Sequence, residues 1–110
     1  MNLVHIVLVR PRDGQEARAD DLAAQLAALA AELGAGDVYA GRDVSIEPFG
    51  GGYTTGLAIA FPGERARDAY LRNPRHAELA RALPAAADSV LVVDLPAAAA
   101  GLAYQGAQRT

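Results

Sequence analysis

The chain has no cysteine in its 110 residues. A thiol nucleophile, a thiolate metal site and a disulfide framework are therefore excluded, and the composition suits a reducing compartment such as the cytoplasm. Lysine is missing too: all ten basic residues are arginine, so no side chain can form a Schiff base with a carbonyl compound. There is no basic excess either, the formal charge being −3, whereas a nucleic-acid surface shows itself as clustered positive charge. Nucleic acid is not an expected partner. No apolar run approaches the roughly 20 residues that cross a bilayer, so no membrane is expected as a partner either. Met1 to Val9 has no basic leading region and reads as a strand rather than a signal peptide. A chain of this length is expected to form one domain around a single core.

What is present is a regular succession of apolar segments. Leu3 to Val9 reads as a strand, with Leu3, His5, Val7 and Val9 on one face and Val4, Ile6 and Leu8 on the other. His5 is the polar exception in it, either a core imidazole bonded to a neighbour or a functional one. Asp13 and Glu16 have the spacing of a capping box and open a long helix. Its apolar stripe is Leu22, Leu26, Leu29 and Leu33, flanked by Ala23, Ala27 and Ala30, and Gly34 is the expected C′ residue. A second strand spans Asp37 to Val44. Ser45 to Gly52 is a loop, because Pro48 and three successive glycines continue neither helix nor strand. The loop lacks the Gly-Lys-Ser/Thr ending of a phosphate loop and precedes a strand, which leaves a hairpin connection or a flap beside a pocket.

Tyr53 to Phe61 is the third strand. Thr55, Leu57, Ile59 and Phe61 alternate there with the smaller Thr54, Gly56, Ala58 and Ala60, and the small set is expected to press against helices. Glu64 to Arg72 is helical. Asn73 and Pro74 then form a helix-start signal, a favoured N-cap followed by a residue suited to the first helical position. The new helix runs from Arg75 to about Leu83 and is expected to halt before Pro84. Ser89 to Leu95 is the fourth strand, and the residues from Pro96 onward form a loose or partner-clasping tail. His76 falls in the first turn after the Asn-Pro break, where the helix dipole disfavours an imidazolium and leaves a neutral proton acceptor. Tyr70 adds a phenol across the break. The pair either serves chemistry or braces the helix junction.

The element order predicts an α+β, ferredoxin-like βαββ(αα)β fold, a four-stranded antiparallel sheet with helices on one face. The other face is left uncovered while the strands are apolar on both sides, and a large exposed apolar face is unusual in a monomer. A homodimer packing sheet to sheet is expected, with room for a small apolar ligand.

Four stretches, His5-Ile6-Val7-Leu8-Val9-Arg10, Gly52-Tyr53-Thr54, Tyr70-Leu71-Arg72-Asn73-Pro74-Arg75-His76 and Val90 to Asp94, resemble in order and spacing the motifs of the stress-responsive A/B barrel family. The resemblance covers roughly residues 3 to 95. It implies a barrel domain over 1–95, a tail over 96–110 and a dimeric α/β barrel. Asp37 to Val44 is also similar to a strand of a plant cyclase of that family, which folds a linear polyketide thioester into an aromatic acid. The resemblance then implies His76 and Tyr70 as catalytic residues, His5 as a further pocket histidine, and Val7, Val9, Tyr39, Tyr53, Thr55, Leu57 and Ile59 as substrate-binding residues. Asn73 stands where many members have a histidine, Thr55 where the plant cyclase has one, and Arg10-Pro11 replaces a basic-Phe pair. The implied activity is a cofactor-independent, polyketide cyclase-like ring closure on a poly-β-keto substrate, with no metal. The alternatives are a non-catalytic stress-responsive dimer that binds a small apolar ligand, and a monooxygenase-like or haem-binding barrel.

Overall fold

The computed structural model describes residues 2–97. It contains β1 (Asn2–Pro11), α1 (Glu16–Glu32), β2 (Val38–Arg42), β3 (Thr55–Phe61), α2 (Glu64–Arg72), α3 (Pro74–Ala86) and β4 (Ala87–Ala97). The strands form one antiparallel sheet in the order β2-β3-β1-β4, the expected ferredoxin-like arrangement. Alternation along β1 buries Leu3, His5, Val7 and Val9 beneath the helices, and β3 buries Thr55, Leu57, Ile59 and Phe61 on the same side. Against them α1 packs Ala19, Leu22, Ala23, Leu26, Ala27, Leu29 and Ala30.

That packing reverses one expectation. The small residues Gly56, Ala58 and Ala60 face away from the helices, and the large set of β3 faces them. The reason is volume: α1 supplies mostly alanines to the interface, so the strands must supply the bulk that brings the core to native density. Gly56 is small because β1 is close, since a Cβ there would lie 2.7 Å from the Val7 carbonyl oxygen. Leu33 also leaves the expected stripe. It caps α1 half-exposed while Gly34, at φ +78°, donates to Ala31 and Ala35 donates to Ala30, the paired bonds of a Schellman stop.

Element boundaries depart from the sequence reading for local reasons. Asp13 does not cap α1. Gln15 donates to the Arg12 carbonyl with Gly14 at φ +82°, and this turn sets Asp13 ahead of the N-cap position. α3 runs through Pro84 to Ala86, its closing carbonyls met from outside: the Arg12 Nε–H donates to Pro84 at 3.0 Å and the Arg12 backbone N–H to Ala86 at 2.9 Å. β2 ends at Arg42, the last residue in register with β3. β4 is longer than expected, pairing with β1 from Ala87 to Ala97 across a bulge at Arg10/Pro11. Pro96 and Ala97 therefore belong to the strand, and the rest of the expected tail, 98–110, lies outside the described residues.

The face away from the helices carries Val4, Ile6 and Leu8 of β1 and Leu91, Val93 and Leu95 of β4, the last three each more than two-fifths exposed. Among the described residues no helix is long and apolar enough to cross a membrane. Leu22 is fully buried at the centre of the α1 contact, and Leu22→Ala should lower the unfolding free energy by about 2–5 kcal/mol. Urea unfolding would read this as a lower midpoint at an unchanged slope, and an unchanged midpoint would refute the placement of the core.

Candidate functional site

Four rings meet between β1, β3 and the α2–α3 junction. β1 carries His5 to the helix side, where it is 3 % exposed, and β3 carries Phe61 beside it with ring centroids 6.1 Å apart. Tyr70, near the end of α2, packs its ring 5.9 Å from His5 and 5.4 Å from Phe61. The Asn73 side chain caps α3 by accepting the Arg75 backbone N–H at 2.8 Å, and Pro74 takes the first helical position, as the sequence predicts. His76 is thereby held in the first turn, its ring at 67° and 4.7 Å to that of Tyr70. The structure thus brings His5, Tyr70 and His76 together, one phenol between two imidazoles.

Their electrostatics differ. Burial pushes the His76 pKa below its ordinary 6.5, and the neighbouring His5 pushes it the same way. The direction is the one expected from the helix start, but the causes are desolvation first and the neighbouring His5 second. His76 is half-buried, and its ring makes no hydrogen bond among the described residues. Burial raises the Tyr70 phenol to about 12, and the hydroxyl donates to the Leu26 backbone carbonyl at 3.2 Å. Tyr70 is therefore a donor and not an acid at neutral pH.

Two further residues complete the cluster. Asp94 of β4 stands opposite His5 in register, with Oδ1 2.6 Å from His5 Nδ1 and Oδ2 accepting Arg67 Nη1–H at 2.9 Å. Burial alone would raise this carboxyl, but the bonds from His5 and Arg67 prevail and hold it below the usual carboxylate range. Neither Asp94 nor Arg67 stands out as functional in the sequence. The available signal was Asp94 itself, a lone charge inside the apolar run Val90 to Leu95.

The expected substrate-binding residues fall on two sides of the sheet. Val7, Val9, Thr55, Leu57 and Ile59 are buried on the helix side, Thr55 donating its hydroxyl to the Gly41 carbonyl at 3.2 Å. Tyr39 lies on the open side opposite Ala58, largely exposed. Tyr53 lies under the Arg10 guanidinium, 5.6 Å from its ring centre, with its hydroxyl 2.8 Å from Ser89 Oγ. Tyr39 and Tyr53, with Ile6, Leu8, Phe49 and Ala58, border an apolar groove of about 540 Å³ on that open side. The connection from Asp43 to Thr54 forms its far wall. Gly51 and Gly52 adopt φ +61° and +84° there, and a Cβ on Gly52 would meet Arg10 Cδ at 2.8 Å. Among the described residues no cluster of three His, Asp or Glu side chains could hold a metal ion.

The family model described as the stress responsive A/B barrel domain matches residues 3–97. A protein from Jannaschia sp. CCS1, described as dimeric, ferredoxin-like and of unknown function, is 31% identical with a TM-score of 0.78, over 88% of this chain and 100% of its own. A protein of Arabidopsis thaliana is 28% identical with a TM-score of 0.74, over 88% of this chain and 96% of its own. A Mycobacterium tuberculosis protein at 12% identity and a TM-score of 0.76, over 90% of this chain and 97% of its own, shares the fold. No protein with a curated description matches the chain.

The lowered His76 pKa has a measurable consequence. Below 6.5 the unfolded chain takes up a proton at this position before the folded one does, so stability falls as pH drops through that value toward the folded pKa. His76→Ala should flatten that part of the stability profile. An NMR titration of the His76 ring with a midpoint at or above 6.5 would overturn the assignment.

Proposed function

Because the chain belongs to the stress-responsive A/B barrel family, we propose that it is a homodimeric, cofactor-independent acid–base enzyme that closes a ring in a poly-β-keto substrate, with His76 as the general base. The observation that carries this reading is a half-buried imidazole of lowered pKa, without a hydrogen-bond partner among the described residues, set against a donor phenol. The neutral ring takes a proton from the carbon between two carbonyls. The resulting enolate carbon attacks a second carbonyl of the same molecule, a carbon–carbon bond forms, and the new alkoxide recovers the proton from the imidazolium. Tyr70 exchanges its bond to the Leu26 carbonyl for one to the enolate oxygen, where negative charge develops. His5 orients the substrate from the sheet side.

The homodimer is supported by the exposed apolar face of β1 and β4 and by relatives described as dimeric. The charge that tests it belongs on the open side, at Leu8 or Val93, since Val7 and Leu57 lie in the helix-side core. A stable interface buries about 800 Å² per subunit. Leu8→Asp or Val93→Asp should give monomeric or insoluble protein, and a wild-type sedimentation mass of one 11.4 kDa chain at micromolar concentration would refute the dimer.

A second reading, a non-catalytic carrier of a small apolar ligand, is favoured by the open-side groove, which lies across the sheet from both imidazoles. Substitution of His76 separates the two. With a linear poly-β-ketone thioester as substrate, His76→Ala should slow turnover by about 10²–10⁴-fold and Tyr70→Phe by less, with both variants folded. Turnover unchanged in His76→Ala, with ligand still bound, would establish the carrier.

A further inference from the structure

Behind His5 runs a chain of charged side chains that the acid–base reading leaves without a task. β1 and β4 place His5 and Asp94 directly opposite each other, and directly opposed residues of an antiparallel pair share a face. One Asp94 oxygen lies 2.6 Å from His5 Nδ1 and the other accepts from Arg67 at 2.9 Å, so both carboxylate oxygens are committed. Arg67 is itself tied down, its Nε–H donating to Asp68 at 2.8 Å, and its side chain is only 19% exposed. Arg67 and Tyr70 are three residues apart on α2 and share a face. The turn that sets Tyr70 against both imidazoles therefore also delivers the guanidinium to Asp94.

We propose that Arg67 is a positioning residue: acting through Asp94, it holds His5 as the Nδ1–H tautomer and keeps Nε2 as a hydrogen-bond acceptor for a hydroxyl of the bound molecule. The proposal rests on His5 facing the substrate, as in the acid–base reading. Which imidazole nitrogen carries the proton is set by the bond the other nitrogen makes. A carboxylate only accepts, so Nδ1 must donate. Arg67 pins the second oxygen and removes the rotation by which the carboxylate would present itself to His5 at other angles. Nε2 has no partner among the described residues, and no buried side-chain N or O atom among them lacks one, so this nitrogen keeps a narrow contact with solvent in a residue that is only 3 % exposed. An acceptor there selects an enol or phenol hydroxyl, the group carried by an enolised poly-β-ketone and by its aromatised product. It disfavours a ketone oxygen, whose lone pairs would face the lone pair of the ring.

The test reads the ring nitrogens of His5 by ¹⁵N NMR in the substrate-free protein. Wild type should show Nδ1 protonated and Nε2 bare, Arg67→Met a mixture of tautomers, and Arg67→Lys a return toward the single form. With the poly-β-ketone thioester, Arg67→Met should raise KM by about tenfold, the low end for loss of an outer partner, with kcat changed less. A wild-type ring protonated at Nε2 alone, or at both nitrogens, overturns the proposal. An Arg67→Met spectrum identical to wild type does the same and leaves Arg67 a staple between α2 and β4. The tautomer is measured without turnover, so loss of the catalytic reading in His76→Ala and loss of this proposal are separate results.

Discussion

β1 lies between β3 and β4 with both edges hydrogen-bonded, so its side chains divide by alternation between a side sealed by helices and a side left open. A slip of one residue would exchange the two sets completely. His5 would then leave the cluster with Tyr70, and the Val4, Ile6 and Leu8 row would be driven into the core. The candidate site and the candidate interface are two faces of this one strand, and neither can change register without the other.

Burial then makes unlike groups out of similar ones. The desolvation that lowers His76 also raises Tyr70, because in each case it penalises the charged form. The result is a neutral acceptor beside a neutral donor, a combination suited to moving a proton from carbon without a metal or cofactor. Asp94 keeps its charge against the same penalty only because it has two donors, one on β1 and one on α2. The charged groups of the cluster thus lie on the β4 side of His5, and of the neutral pair Tyr70 is fully buried while His76 is half-buried.

The open side obeys a different logic. Gly56 and Ala58 keep the sheet surface low between the β1 side chains and the loop that carries Phe49, and the groove follows from that relief. On a single chain it is a shallow apolar depression beside an exposed apolar strand. In a dimer a second sheet would roof it, which is why the catalytic reading and the carrier reading share an assembly and differ in which side of the sheet binds the molecule.

The sequence alone determined those features that depend on neighbours in the chain. The alternation of β1 and β3, the stop at Gly34 and the cap at Asn73-Pro74 follow from local backbone chemistry, and each is present in the structure. The motif spacing that identified the family belongs to the same class. Tertiary structure decided the rest. Periodicity sorts Thr55, Leu57, Ile59 and Phe61 from Gly56, Ala58 and Ala60, yet which set meets the helices depends on the volume α1 leaves to be filled. α3 continues past Pro84 to Ala86 with its closing carbonyls met by Arg12, far away in sequence. His5 found its carboxylate 89 residues along the chain through the β1–β4 register, and Arg67 reached it from a helix. Such contacts are set by long-range pairing and close packing, which no spacing within a single segment encodes.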